Sequence, residues 1–235
     1  MPELPEVETV RQGLNQLTLN QEIRGGDVLL ARTIAYPFSA SEFLAQLENT
    51  TVAGWHRRGK YLLAELSQSD KSHQAEVRSQ ESGVRGDELS PQIHPEQNYL
   101  KSTIQNSQSA NAGWLGVHLR MTGQLLWLDR AQAVQKHTRV RLFFANNREL
   151  RFVDQRTFGQ MWWVPPSKAP ETIITGLQTL GPEPFWADFS LDYLAQKLRN
   201  RQSSIKAALL DQTLVAGVGN IYADEALFLS GIRPN

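Results

Sequence analysis

The 235-residue chain contains no cysteine, which removes disulfides, thiolate metal sites and cysteine nucleophiles from consideration. No apolar run reaches the ~18 residues that a spanning helix needs, and no secretory apolar segment opens the chain. The expected location is therefore the cytoplasm, with no membrane partner. Net charge is also lacking, since 24 Lys and Arg balance 24 Asp and Glu. A nucleic-acid binder normally carries a basic excess, so a zero sum shifts the question to how the charges are distributed. The 40% apolar content is enough for the core of one large or two modest domains.

The distribution is uneven. Arg139, Arg141, Arg148, Arg151, Arg156 and Lys168 face only Glu149 and Asp154 in the same stretch, and Lys197, Arg199, Arg201 and Lys206 form a second cluster without an acid. Acids gather instead in residues 67–112, where Asp70, Glu76, Glu81, Asp87, Glu88 and Glu96 outnumber the bases. The pattern fits a basic face hidden by a neutral total, and it equally fits ordinary solvated strand and helix surfaces.

Residues 67–112 also hold nine Ser and seven Gln with no sustained period. Such a composition buries too little surface to offset its ordering entropy and reads as a disordered insertion. Before it, Val7, Val10 and Leu14 share one helical face, residues 23–34 and 52–55 read as strands around a short helix at 41–47, and residues 61–66 read as a further strand. After it, Trp114 to Met121 resumes ordered structure. Residues 138–145 and 149–153 read as a hairpin with one polar and one buried face, turned at Asn146-Asn147. Trp162-Trp163 lies in another strand, ended by Pro165-Pro166. Beyond Gly181-Pro182-Glu183-Pro184 the pattern becomes helical, with Leu191, Leu194 and Leu198 on one stripe. The expected class is α+β: a two-layer antiparallel β-sandwich with flanking helices over residues 1–182, then a small helical domain over 183–235.

Chemistry is concentrated at the start. Removal of Met1 would leave Pro2 with a free secondary amine beside the Glu3 carboxylate. A terminal amine has a pKa near 8, so roughly a tenth of it is unprotonated at neutral pH. Its attack on a sugar carbon gives an iminium that stays cationic and promotes elimination. The same residues also fit a plain acid-rich helix start, with Pro5 in the first turn and Glu6 and Glu8 against the dipole. Arg57-Arg58-Gly59-Lys60 places cations at a strand entrance. Gly217-Val218-Gly219-Asn220 reads as a tight turn before a helix, whose free N–H groups and Asn220 amide would grip a phosphate.

The run from Met1 to Thr9 resembles the amino terminus of formamidopyrimidine-DNA glycosylases, and the stretch from Ile205 to Glu225 is similar to their helix–two-turn–helix. The resemblance implies excision of oxidised purines from damaged double-stranded DNA by a monomer, followed by strand cleavage through β- and δ-elimination. It implies Pro2 as nucleophile, Glu3 as proton donor, Lys60 as phosphate ligand and proton-transfer group, and Glu6 as an organiser of the site. It carries His118, His137, Arg201, Lys206 and Asn220 over to DNA contact, Met121 to a wedge in the gap left by an everted base, and Arg156 and Phe158 to the loop that enters the duplex. Leu4 and the Arg156/Phe158 loop favour the branch acting on purines. Arg120 stands where many relatives have Gly.

Relatives continue into a zinc finger held by four cysteines, and this sequence offers no cysteine and no metal ligand set of that kind, so no cofactor is expected. The helices near Leu191 and Ile221 should then expose apolar faces. An alternative to a working glycosylase is a truncated, catalytically inactive family member that only binds DNA, through the basic hairpin.

Overall fold

The computed structural model describes residues 1–68 and 110–234. Helix α1 (Leu4–Thr18) carries Pro5 in its first turn, where a missing N–H costs nothing, and buries Leu4, Val7, Leu14 and Thr18. It is fixed to strand β4 (Thr50–Arg58) by polar as well as apolar contacts. Asn15 brackets the Trp55 backbone, accepting from its N–H at 2.7 Å and donating to its carbonyl at 3.0 Å, while the Trp55 indole donates to the Thr18 hydroxyl at 2.9 Å.

Two sheets face one another. The larger has the order β1-β4-β5-β6-β10-β3, from β1 (Glu22–Ile23), β4, β5 (Tyr61–Gln68), β6 (Asn111–His118), β10 (Gln160–Val164) and β3 (Ile34–Tyr36). The smaller has the order β2-β8-β9-β7, from β2 (Gly26–Val28), β8 (Thr138–Phe143), β9 (Arg148–Asp154) and β7 (Gly123–Asp129). Trp55, Leu62, Leu66 and Leu115 of one sheet meet Val140, Leu142, Leu150 and Phe152 of the other in a single core. Each such side chain contributes about 1.5–3 kcal/mol by leaving water. Helix α2 (Ala40–Leu47), capped by the Ser39 hydroxyl, closes one edge with Phe43 and Leu47.

The sandwich matches the expectation, with three local differences. Residues 23–34 are not one strand: β1 joins the larger sheet and β2 the smaller, because the chain crosses between layers at Arg24-Gly25. One pair, β3 with β10, is parallel. The insertion is shorter than its composition implied, since Ser67 and Gln68 close β5 and Asn111 and Ala112 open β6. Their backbone groups find ladder partners in neighbouring strands, and that does not depend on side-chain polarity. Residues 69–109 of the expected disordered segment lie outside the described residues.

A short helix α3 (Pro170–Ile173) leads to the helical part, formed by α4 (Leu191–Leu198), α5 (Ile205–Leu210) and α6 (Asn220–Leu229). Ser190 and Ser204 cap α4 and α5 through their hydroxyls. Only Ala223 and Leu227 of α6 are buried, while Phe185, Leu191, Phe228 and Leu229 are each more than 80% exposed, as the apolar stripes anticipated. No helix among the described residues is long and apolar enough to cross a membrane.

Candidate active site and DNA-facing cleft

The site lies where the amino terminus, one end of the larger sheet and the turn before α6 meet. Strand register supplies one wall, because Tyr61 pairs with His118 and His118 pairs with Gln160, so three adjacent strands end in one row. The two-residue turn Gly59-Lys60 between β4 and β5 carries Lys60 beyond that row. Lys60 is 6% exposed, and its ammonium donates to the Val218 carbonyl at 2.8 Å. Burial pushes the Lys60 pKa below its ordinary value, with the Glu3 charge acting against that shift.

The turn before α6 behaves differently from expectation. Its N–H groups are not free for a phosphate, because the Glu3 carboxylate, 2% exposed, accepts from Gly219 N at 2.8 Å, Ile221 N at 2.9 Å and Tyr222 N at 3.3 Å. The anion at this helix start is the protein's own, held by unpaired donors and the positive end of the dipole. Glycine is required here for space: a Cβ on Gly219 would lie 2.3 Å from the Glu3 carboxyl carbon, and one on Gly217, at φ +95°, 2.5 Å from Leu4. Leu4 N donates to Gly217 O at 3.0 Å, and Glu3 N to Glu6 Oε2 at 2.9 Å. The Tyr222 hydroxyl donates to Glu6 Oε1, so Glu6 links helix α1 to α6. The amino terminus is thereby fixed to within a residue of Pro2, which is half-buried.

A cavity of about 310 Å³ opens here, lined by Met1, Lys60, Tyr61, His118, Arg120, Gln212 and Asn220 among others. Met1 lines it, so cleavage after Met1 would both free the Pro2 nitrogen and remove part of its wall. His118 is buried with its ring edge-on to Tyr61, and its Nδ1 accepts from Arg120 N at 3.0 Å. Burial, reinforced by the Arg120 and Lys60 charges, lowers its pKa to about 3, so the imidazole is neutral at physiological pH. With Nδ1 accepting, the proton sits on Nε2, ready to be donated.

A second cleft of about 520 Å³ adjoins it, lined by Arg32, Arg120, Met121, Thr157, Phe158 and Gln160. Met121 and Phe158 are 40% and 53% exposed, and the Arg156 guanidinium lies 5.1 Å from the Phe158 ring centre. The loops that present them are tied by Asp154, which is 1% exposed. Its carboxylate accepts from the Thr122 hydroxyl, from Gly159 N at 2.7 Å and from Arg156 N at 3.2 Å. Besides Arg156, three expected contact residues line neither cavity. His137 lies half-buried beside Arg139, Arg201 pairs with Asp211 at 2.7 Å, and Lys206 pairs with Asp224 and does not line the cavity. Two members of the second basic cluster, Arg201 and Lys206, thus acquire acids in space.

The hairpin also departs from its basic-face reading. Arg151 and Glu149 are fully buried and paired, Arg151 donating further to the Gln132 and Ala133 carbonyls. Arg141 bridges Glu149 and Asp27, and Arg139 donates to Asp154 O at 2.8 Å. These cations hold the sheet together and are not available to a polyanion.

Several residues of the site were not singled out from sequence. Gln212 donates to Val218 O and accepts from Gly217 N, bracing the turn that holds Glu3. Glu183, read only as part of a domain boundary, is 3% exposed and accepts from Arg57 Nη1 and Gly59 N, both at 2.7 Å, joining the Lys60 turn to the helical part. Arg57 also reaches Glu8 at 2.9 Å. Burial would raise the Glu8 pKa, but hydrogen bonds from Arg11 and Arg57 outweigh it and hold the pKa at about 2. The pairing of an acid in a Pro-rich linker with a distant Arg-Arg-Gly had no local signal.

The fold and the likenesses that follow define a DNA-repair glycosylase. The family models "Formamidopyrimidine-DNA glycosylase N-terminal domain" and "Formamidopyrimidine-DNA glycosylase H2TH domain" match residues 1–161 and 180–235. The formamidopyrimidine-DNA glycosylase of Nostoc punctiforme is 59% identical over 100% of this chain and 67% of its own length, and that of Acaryochloris marina 56% identical over 100% and 69%. A crystal structure of the Lactococcus lactis enzyme bound non-covalently to DNA containing an AP site superposes with a TM-score of 0.73 at 29% identity, covering 99% of this chain and 71% of that one. A complex of that enzyme with Fapy-dG-containing DNA gives 0.73 at 30% identity, covering 99% and 69%. The chain belongs to the formamidopyrimidine-DNA glycosylase family. The residues present do not fit the zinc that family resemblance implies: there is no cysteine, and the described residues include no group of three or more His, Asp or Glu that could hold a metal.

Proposed function

We propose that this chain excises oxidised purines such as 8-oxoguanine and formamidopyrimidines from duplex DNA and then cleaves the strand, acting as a monomer with damaged DNA as its partner. Residues 1–182 form the catalytic sandwich and residues 183–235 the helix–two-turn–helix part. The observation that carries this reading is the Glu3 carboxylate clamped by three N–H groups at the start of α6, which holds the amino terminus against a cavity containing Lys60 and a neutral His118.

In this mechanism the unprotonated Pro2 nitrogen attacks C1′ of the damaged nucleoside. The C–N bond to the base breaks with its electron pair going to the base, which takes a proton from water. The proton then lost by the attacking nitrogen passes through the Glu3 carboxylate to O4′. The C1′–O4′ bond opens and an iminium remains. Loss of a C2′ proton expels the 3′ phosphate, and loss of a C4′ proton expels the 5′ phosphate. Lys60, His118 Nε2 and the Asn220 amide bind the phosphates flanking the lesion, and Lys60, its pKa lowered by burial, exchanges protons at the sugar. Met121, Arg156 and Phe158 occupy the space vacated by the everted base, which offsets part of its unstacking cost. His137, Arg201 and Lys206 meet the backbone farther out, the last two after exchanging Asp211 and Asp224 for phosphate.

The binding-only alternative rested on the hairpin, where Arg141 and Arg151 are paired internally. Borohydride trapping of the chain, with Met1 removal verified by mass, on a duplex carrying one 8-oxoguanine separates the two. A covalent complex that disappears in Pro2→Gly is expected. A folded chain that binds the duplex yet yields no complex would leave only the binding role.

A further inference from the structure

Six residues other than glycine have positive φ among the described residues, and four of them are Asn, the type that tolerates this conformation best. The other two are Arg120 at +54° and Thr157 at +59°, and both line the cleft that presents Met121 and Phe158. Thr157 is held there by a bond from Arg32 to its hydroxyl. Arg120 has no comparable restraint on its side chain. It is exposed, and the one side-chain hydrogen bond it makes to a described residue is a long one, 3.5 Å from Nη2 to Gln160 Oε1. Its backbone N–H, by contrast, is committed to His118 Nδ1. A glycine would take this φ without penalty, so a long cationic side chain here is not explained by the local fold.

Position gives the explanation. Arg120 lines both the 310 Å³ cavity and the 520 Å³ cleft, standing between the catalytic groups and the wedge residues. Lys60 shares the first with it and Arg32 the second. The nearby acid, Glu3, is already held by three backbone donors. A planar five-donor cation at such a junction has an anion as its natural ligand, and a guanidinium matches phosphate oxygens in pairs.

We propose that Arg120 is a substrate-binding residue that grips a backbone phosphate of the DNA strand passing from the catalytic cavity to the Met121/Phe158 cleft. This rests on the reading of the chain as a DNA glycosylase. The left-handed backbone serves to hold the His118 Nδ1 contact while the side chain turns outward, so binding and local strain come from the same residue. Removing the side chain must then move stability and affinity in opposite directions.

The test uses the full chain and a duplex carrying one stable tetrahydrofuran abasic analogue, with dissociation constants measured across salt concentrations and melting temperatures measured in parallel. For Arg120→Gly the melting temperature is expected to hold or rise. Affinity at 0.1 M salt should fall about tenfold, and the slope of log K against log salt should become shallower by about one unit. Arg120→Lys should recover most of the slope, and Arg120→Gln should not. An Arg120→Gly chain that binds with wild-type slope and affinity overturns the inference while leaving the glycosylase reading intact. A wild-type chain that does not bind the duplex at all overturns both.

Discussion

Arginines in two regions of this molecule have opposite fates. In the β8–β9 hairpin, Arg141 and Arg151 point into or along the sheet and are neutralised by Glu149 and Asp27. In the loops at the end of the larger sheet, Arg120 and Arg156 stand exposed beside Met121 and Phe158, with no acid paired to them among the described residues. Both regions are basic when read along the chain. A strand fixes where every second side chain goes, and a cation sent inward must find an anion or fail to fold. A loop tip imposes no such demand, so its charges remain free for a ligand.

The largest effect that tests this contrast is on stability. Arg151→Ala should cost about 3–5 kcal/mol in denaturant unfolding, because it strips a buried carboxylate and two carbonyls of a partner. If the loss is below about 1 kcal/mol, the hairpin cations are not structural. Asp154→Asn comes next, as the residue joining the two regions. The amide keeps one acceptor oxygen and turns an NH2 towards the other donors, so either Gly159 N or the Thr122 hydroxyl with Arg156 N loses its acceptor, which should cost about 1–3 kcal/mol and weaken binding to damaged duplex as the Met121 and Phe158 loops loosen.

A pH titration of stability probes the buried site groups. The folded pKa of His118, about 3, lies below the ordinary 6.5. The unfolded chain therefore binds a proton that the folded chain refuses. Its contribution is fully present above about pH 6.5 and is lost as pH falls, at about 1.4 kcal/mol per pH unit. His118→Gln should flatten that limb between pH 6 and pH 4.5. Glu8, held at about 2, adds a further loss only below about pH 4.5, which separates the two groups.

The smallest stability change is expected at Phe158→Ala, within about 0.5 kcal/mol because the ring is half exposed. Excision should nevertheless fall about tenfold in single-turnover assays, equivalent to ~1.4 kcal/mol in the barrier. A large stability loss there would place the loop with the hairpin and erase the distinction.

Local signals conveyed much of this. Periodicity gave α1 its buried face at Val7 and Leu14, alternation gave β8, and the Asn pair gave a turn whose residues do take positive φ. The Pro2-Glu3 and Gly217–Asn220 segments were each recognisable as chemically unusual. Their relationship was not, since 216 positions separate Glu3 from Gly219, and no periodicity extends so far. Sequence distance, 126 positions in this case, likewise hid Glu183 from Arg57. It also made the N–H groups before α6 look free when a carboxylate from the other end of the chain had taken them.

The sequence by itself determined the sandwich with its helical appendage and the family, because these depend on residue type, short-range pattern and motif order. Only the tertiary structure decided which charges are used up and which are available. That outcome depends on distances across the fold, where a few ångströms separate a paired, desolvated arginine from one that can still take a phosphate.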